Sequence, residues 1–212
     1  MKQNPSTSGT RDMTKPEPTT VNLFTISLSD HIRAIEQMAS SLPLLQEIAD
    51  SLIEAIRRGG TIFWCGNGGS AADAQHMAAE LVGRFRRERR SLASLALTTD
   101  TSILTALAND YSYDYVFVRQ VESLCRKGDV LIGISTSGNS ANVCNALQKA
   151  KEIGAYTVAI TGGSGGKMLQ LADGCFLAPS KETARIQECH ELALHMICDW
   201  VEHAFTEDKN EK

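Results

Sequence analysis

The chain has 212 residues, enough for one domain with a substantial core, and its 42% hydrophobic and 22% charged residues are ordinary for a globular protein. A net charge of −4 gives no general attraction to nucleic acid or an anionic membrane, and no apolar run approaches the ~18 residues of a spanning helix. The six cysteines are scattered without a CxxC pair, which points away from a disulfide framework or zinc finger and toward reduced, cytoplasmic thiols.

Residues 1–20, MKQNPSTSGTRDMTKPEPTT, are polar and proline-bearing and are expected to form a disordered tail; residues 21–212 are expected to form one domain. From Val21 to Arg58 the pattern is helical. Ser29-Asp30 offers a cap for a first helix, Pro43 fits the first turn of a second, and Gly59-Gly60 stops it. Thr61–Cys65 is a short apolar run ending in glycine, as expected of a buried strand. An alanine-rich helix follows, then Ser91–Leu97 and a helical stretch through Ala108. Tyr115–Cys125 reads as another helix, and Val130–Ile134 as the clearest buried strand. A helix to Ile153 ends at Gly154; Thr157–Ile160 and Cys175–Ala178 supply two more strands; a long helix covers about Thr183 to Phe205. Strands alternating with helices at this spacing predict an α/β fold: a central parallel sheet between two helical layers, preceded by N-terminal helices.

Two loops lie where such sheets bind ligands, at the carboxyl ends of strands. The first is Gly66–Ser70, GNGGS, whose glycines permit a sharp turn and close approach to a ligand ahead of a helix N-terminus. On the helix it opens, His76 and Glu80 are four residues apart and share one face. The second loop, Ser135–Ser140, STSGNS, offers hydroxyls and open helix N–H groups to a phosphate; its bland reading is a turn with Ser140 as helix cap. GNGGS lacks the third glycine of a dinucleotide fingerprint, and Thr161–Met168 has Thr and Met where a P-loop needs Gly and a hydroxyl, so nucleotide binding is not expected.

The basic run Arg84–Arg90 reads as a solvated loop, or as a positive rim with Arg84 nearest the His76/Glu80 helix. In the last helix, Gln187 and His195 lie about 12 Å apart along the axis and roughly 80° around it. They reach one centre only by leaning together; otherwise they mark a polar surface stripe.

With GNGGSAADAQHMAAEL, Ala108-Asn109-Asp110, STSGNSANV and RIQECHELALH assembled, the chain from about Val21 to Phe205 resembles the phosphoheptose isomerases, enzymes of the SIS (sugar isomerase) domain family with a flavodoxin-like three-layer sandwich. The resemblance implies conversion of sedoheptulose 7-phosphate to D-glycero-D-manno-heptose 7-phosphate through an enediol, the first step of bacterial heptose synthesis for lipopolysaccharide. It implies substrate contacts from Asn67, Gly68, Gly69, Ser70, Glu80, Asn109, Asp110 and Gln187, with Ser135, Thr136, Ser137 and Ser140 on the phosphate. It makes Glu80 the catalytic base and His195 the catalytic acid, and implies one zinc ion per subunit held by His76, Glu80, Gln187 and His195. It also implies a homotetramer with active sites at subunit boundaries.

The residue types suit the reaction. Aldose–ketose exchange moves a proton between neighbouring carbons, which a carboxylate can do while histidine shuttles the hydroxyl proton. A metal would polarise the carbonyl. A metal-bound glutamate is a weaker base, so Glu80 would divide the two roles between its oxygens or alternate between them. The alternative is a non-catalytic SIS protein that associates with the bacterial replication initiator. That paralogue resembles this chain but lacks the acidic residue of HxxxE and the late histidine, both present here as Glu80 and His195.

Overall fold

A computed structural model describes residues 22–206. The expected tail at residues 1–20 lies outside the described residues. Helix α1 (Leu23–Gln37) is capped by Asn22, whose side chain accepts the N–H groups of Phe24 and Thr25 at 3.1 and 3.2 Å. Ser29-Asp30, the sequence's candidate cap, falls inside this helix. Asn22 sits one residue ahead of the first turn, where an amide oxygen can satisfy open N–H groups. A short 3₁₀ turn leads into α2 (Leu42–Arg57), with Pro43 in its first turn and Gly59 leaving it at φ 84°.

The remaining elements are β1 (Ile62–Gly66), α3 (Gly69–Val82), β2 (Ser94–Ala96), α4 (Thr101–Asp110), α5 (Val118–Leu124), β3 (Val130–Ser135), α6 (Ala141–Ile153), β4 (Tyr156–Gly162), α7 (Met168–Leu171), β5 (Gly174–Ala178) and α8 (Thr183–Thr206). The five strands form one parallel sheet in the order β2-β1-β3-β4-β5. The helix expected over Tyr115–Cys125 is shorter, because a 3₁₀ turn at Tyr113–Tyr115 precedes it.

The strands alternate their side chains between two cores, as a pleated sheet buried on both faces must. Ile62, Trp64, Val130, Ile132, Ile134, Val158, Ile160 and Phe176 pack with α2, α3 and α8. Phe63, Cys65, Leu131 and Ala159 pack with α5, α6 and Met168 of α7. The sheet order reverses between β1 and β3, which opens a crevice at their carboxyl ends. The loops GNGGS and STSGNS both leave the sheet there.

Two buried polar groups tie α8 to this frame. The Glu202 carboxylate, fully buried, accepts the N–H groups of Phe85, Arg86 and Arg87 at 2.8, 2.7 and 2.8 Å and faces the buried Arg89 guanidinium at 3.5 Å. The basic run Arg84–Arg90 is therefore a pinned loop, with Arg86 and Arg87 also facing Asp199. His190, fully buried, donates from Nε2 to the Thr161 carbonyl at 3.0 Å, joining α8 to the end of β4.

Burial lowers the His190 pKa from 6.5 to about 4. The unfolded chain binds a proton here below about pH 6.5, whereas the folded protein resists it until about pH 4. The contribution of His190 is thus complete above pH 6.5 and is lost as pH falls through this window, on the order of 3 kcal/mol in all. Urea denaturation at pH 7, 6, 5 and 4 should show the loss in the wild type, and His190→Gln should have a shallower slope over the same range.

Candidate active site

The first loop is shaped by backbone conformation. Between β1 and α3 only Asn67 and Gly68 intervene, and Gly68 adopts φ 57°, ψ −122°, which a side chain would strain. Asn67 and Asn142 exchange two amide hydrogen bonds, each 2.9 Å, so the GNGGS turn is locked to the first turn of α6. The Tyr113 hydroxyl donates to Asn67 Oδ1 at 3.2 Å. Asn109 and Asp110 close α4, exposed and hydrogen-bonded to each other at 2.8 Å. The segment that follows them, through Tyr113, is what touches the loop.

The second loop connects β3 to α6. Ser140 occupies the cap position of α6, yet its hydroxyl makes no capping bond and lies 2.9 Å from Ser135 Oγ. Ser135 Oγ is also 3.5 Å from Ser137 Oγ. The hydroxyls of Ser135, Ser137 and Ser140 thus gather beside open N–H groups at a helix start, which favours an anion over the simple helix cap. The P-loop look-alike braces them from behind. Lys167 N–H donates to Asn139 Oδ1 at 3.1 Å, and Met168 N–H to the Gly138 carbonyl at 3.0 Å. Gly138 has φ 65°, and a Cβ there would collide with the Gly165 carbonyl.

The polar residues of α8 lie along α3, the two helices running side by side in the same direction. The amide nitrogen of Gln187 occupies the space that a Cβ on Gly69 would need. One turn on, Glu191 Oε1 is 2.8 Å from His76 Nδ1 and 3.6 Å from His195 Nε2. His76 Nε2 is 3.0 Å from Glu80 Oε1, and the His76 and His195 rings meet edge to face at 5.0 Å. Gln187 and His195 therefore form a stripe, but one laid against α3 rather than open to solvent. His195 is partly exposed; the fully buried histidine of this helix is His190.

Further neighbours hold the cluster. The Phe85 ring stacks on His195, centroids 5.2 Å apart and planes 24° apart. Arg89, rather than the expected Arg84, reaches this end of α3, donating to the carbonyls of Glu80 and Gly83 at 2.7 and 2.9 Å. Asp73, one turn before His76, has its pKa raised to about 6 by burial and then by the Glu191 carboxylate.

His76, Glu80 and His195 each place a ligand atom within 4.8 Å of the others. Two imidazole nitrogens and a carboxylate oxygen are the donor set zinc takes in catalytic sites, so these residues fit the ion. Gln187 borders the same stripe at the Gly69 end. Asn142, Phe85, Glu191 and Arg89 were not singled out from sequence. Asn142 and Glu191 stand inside the quoted runs, so spacing from Ser140 and from His195 could have found them; Phe85 and Arg89 lie in the basic run Arg84–Arg90, where no local pattern sets them apart from its other residues.

A family model described as the SIS domain matches residues 28–162. The chain is 50% identical over 180 residues to the phosphoheptose isomerase of Helicobacter hepaticus, covering 85% of this chain and 92% of that protein. It is 56% identical over 161 residues to that of Aquifex aeolicus, covering 76% and 84%. A solved phosphoheptose isomerase from Neisseria gonorrhoeae is 44% identical with a TM-score of 0.81, over 85% of this chain and 97% of that one. Its counterpart from Francisella tularensis is 33% identical with a TM-score of 0.84, over 88% and 100%.

Replacing Gly138 tests the braced loop. Gly138→Ala puts a side chain at φ 65° against the Gly165 carbonyl, and should destabilise the protein by about 1–3 kcal/mol in chemical denaturation. A wild-type midpoint and slope would show that the loop relaxes freely around the methyl group.

Proposed function

The chain belongs to the phosphoheptose isomerases within the SIS domain family, and from that premise we infer that it is an aldose–ketose isomerase of heptose synthesis acting on sedoheptulose 7-phosphate. The observation that carries this reading in the chain itself is the meeting of Glu80 and His195, from helices more than a hundred residues apart, in a chain that also holds a hydroxyl-lined anion loop at the carboxyl end of β3. A non-catalytic sugar-phosphate or protein binder has no need of that pair.

In the proposed mechanism the hydroxyls of Ser135, Ser137 and Ser140, with Thr136 and the α6 N–H groups, hold the phosphate. Asn67, Gly68, Gly69 and Ser70 seat the sugar against the turn, aided by Asn109, Asp110 and Gln187. The Glu80 carboxylate takes a proton from C1 of the open-chain ketose and returns one to C2. His195 moves the hydroxyl proton between the two oxygens, so that the enediol collapses to the aldose with no net gain or loss of atoms. Phe85 fixes the plane of the His195 ring while it does so. His76, Glu80 and His195, with Gln187, would hold a zinc ion, which supplies Lewis-acid polarisation of the carbonyl when bound.

Assembly and location belong to the same proposal. Leu23, Phe24, Ile26, Leu28 and Ile32 of α1 are exposed, with Phe24 at 88%, and the face shared by Phe24, Leu28 and Ile32 supports association with further copies into a homotetramer with shared active sites. Six unpaired cysteines and a phosphorylated substrate support a cytoplasmic enzyme. Among the described residues no helix is long and apolar enough to cross a membrane.

Incubating the protein with sedoheptulose 7-phosphate should yield aldoheptose 7-phosphate, and Glu80→Gln should lower turnover by about 10²–10⁴-fold while sugar-phosphate binding survives. An inactive wild type that still binds the sugar phosphate would favour the non-catalytic reading. Metal analysis should find a divalent ion in the protein as isolated. His76→Ala should reduce that content, and chelation should suppress the wild-type rate until zinc is restored.

A further inference from the structure

Glu191 stands between the two imidazoles, one turn after Gln187 and one turn before His195 on α8. Its Oε1 lies 2.8 Å from His76 Nδ1. The Glu191 and Glu80 carboxylates can both only accept, and the shorter contact, 2.8 Å at Nδ1 against 3.0 Å at Nε2, assigns the proton of a neutral His76 ring to Nδ1. Nε2 is then bare, and it points at Glu80 Oε1 across 3.0 Å. Two acceptors at that distance repel unless a cation or a proton lies between them. The geometry therefore holds a lone pair and a carboxylate ready on one side of His76, and it does so because Glu191 occupies the other side.

We propose that Glu191 is a positioning residue: it fixes His76 as the Nδ1–H tautomer and aims the bare Nε2 toward Glu80. The side chain acts on the site through His76, not by touching the sugar. Its longer 3.6 Å approach to His195 Nε2 is outside hydrogen-bonding distance, so the orienting contact is the one to His76. The consequence for metal uptake rests on the reading of His76, Glu80 and His195 as ligands, whereas the tautomer assignment does not.

The test uses the full-length protein with Glu191→Ala and the near-isosteric Glu191→Gln, whose amide oxygen can still accept. Nitrogen-15 correlation spectra of the metal-free protein should show His76 as Nδ1–H in the wild type and largely so in Glu191→Gln. In Glu191→Ala the ring should shift toward a tautomer mixture. Zinc affinity, read by competition with a chromophoric chelator, should fall about 10–100-fold in Glu191→Ala and less in Glu191→Gln. In a His76→Ala background, Glu191→Ala should cost no further affinity. An Nε2–H His76 in the wild type, or an unchanged tautomer in Glu191→Ala, overturns the proposal. So does a further tenfold loss in the His76→Ala background, since Glu191 would then be a ligand itself. A wild type that takes up no zinc refutes the metal reading of the site instead, and the tautomer spectra still decide the role of Glu191. Should Glu191→Ala fail to fold, the same spectra and affinities of Glu191→Gln and of Glu191→Leu carry the test.

Discussion

The polar cluster exists only while α3 and α8 lie side by side in one register, and the buried Glu202 carboxylate links the end of α8 to the loop that follows α3. Burying a charge costs several kcal/mol, and an unpaired one would weaken the fold. Three backbone N–H groups and the Arg89 guanidinium offset that cost at Glu202. Arg89 in turn binds the carbonyls at the end of α3, including that of Glu80. One carboxylate at the end of α8 thus fixes the loop that follows α3, and the loop fixes the helix. Phe85, whose N–H is one of the three donors, is thereby set against His195.

The same logic recurs at the phosphate end. Short polar links bind loops that the sheet has only brought near one another. The paired amides of Asn67 and Asn142 join the two ligand loops across the crevice between β1 and β3. The glycine-rich stretch after β4 supplies backbone contacts to Gly138 and Asn139 from behind. Preorganised hydroxyls and N–H groups need not be rearranged when an anion arrives, which is where such a loop gains its affinity. Sequence alone presented that stretch as a failed nucleotide motif, and the structure gives it a bracing role.

Tight packing sets off the residues kept polar. The sheet is closed on both faces by apolar side chains, so every buried polar group needs a stated partner. His190 meets that demand on one nitrogen only, donating to Thr161 while its Nδ1 has no partner. The histidines that face the proposed chemistry, His76 and His195, are instead partly open and held by carboxylates and rings. On α8, burial separates the structural His190 from the working His195.

The sequence by itself determined the strands, the glycine turns and the pairs that lie close along the chain. Apolar runs of strand length located β1, ended by glycine, and β3, and a four-residue spacing put His76 and Glu80 in contact, because both signals are local periodicities of the backbone. The helix cap was misplaced at Ser29-Asp30 because several polar residues can cap, and only the folded chain shows that Asn22 does. Tertiary structure alone decided that α8 runs along α3. Spacing alone allowed Gln187 and His195 to share a centre only by leaning together; in the fold each has its own neighbour along α3, Gly69 and His76, with Glu191 between them. No periodicity within α8 encodes that register. It follows from burying the apolar faces of both helices on one side of the sheet and from satisfying Glu202 and His190, whose hydrogen-bond partners lie 29 to 117 residues away in sequence.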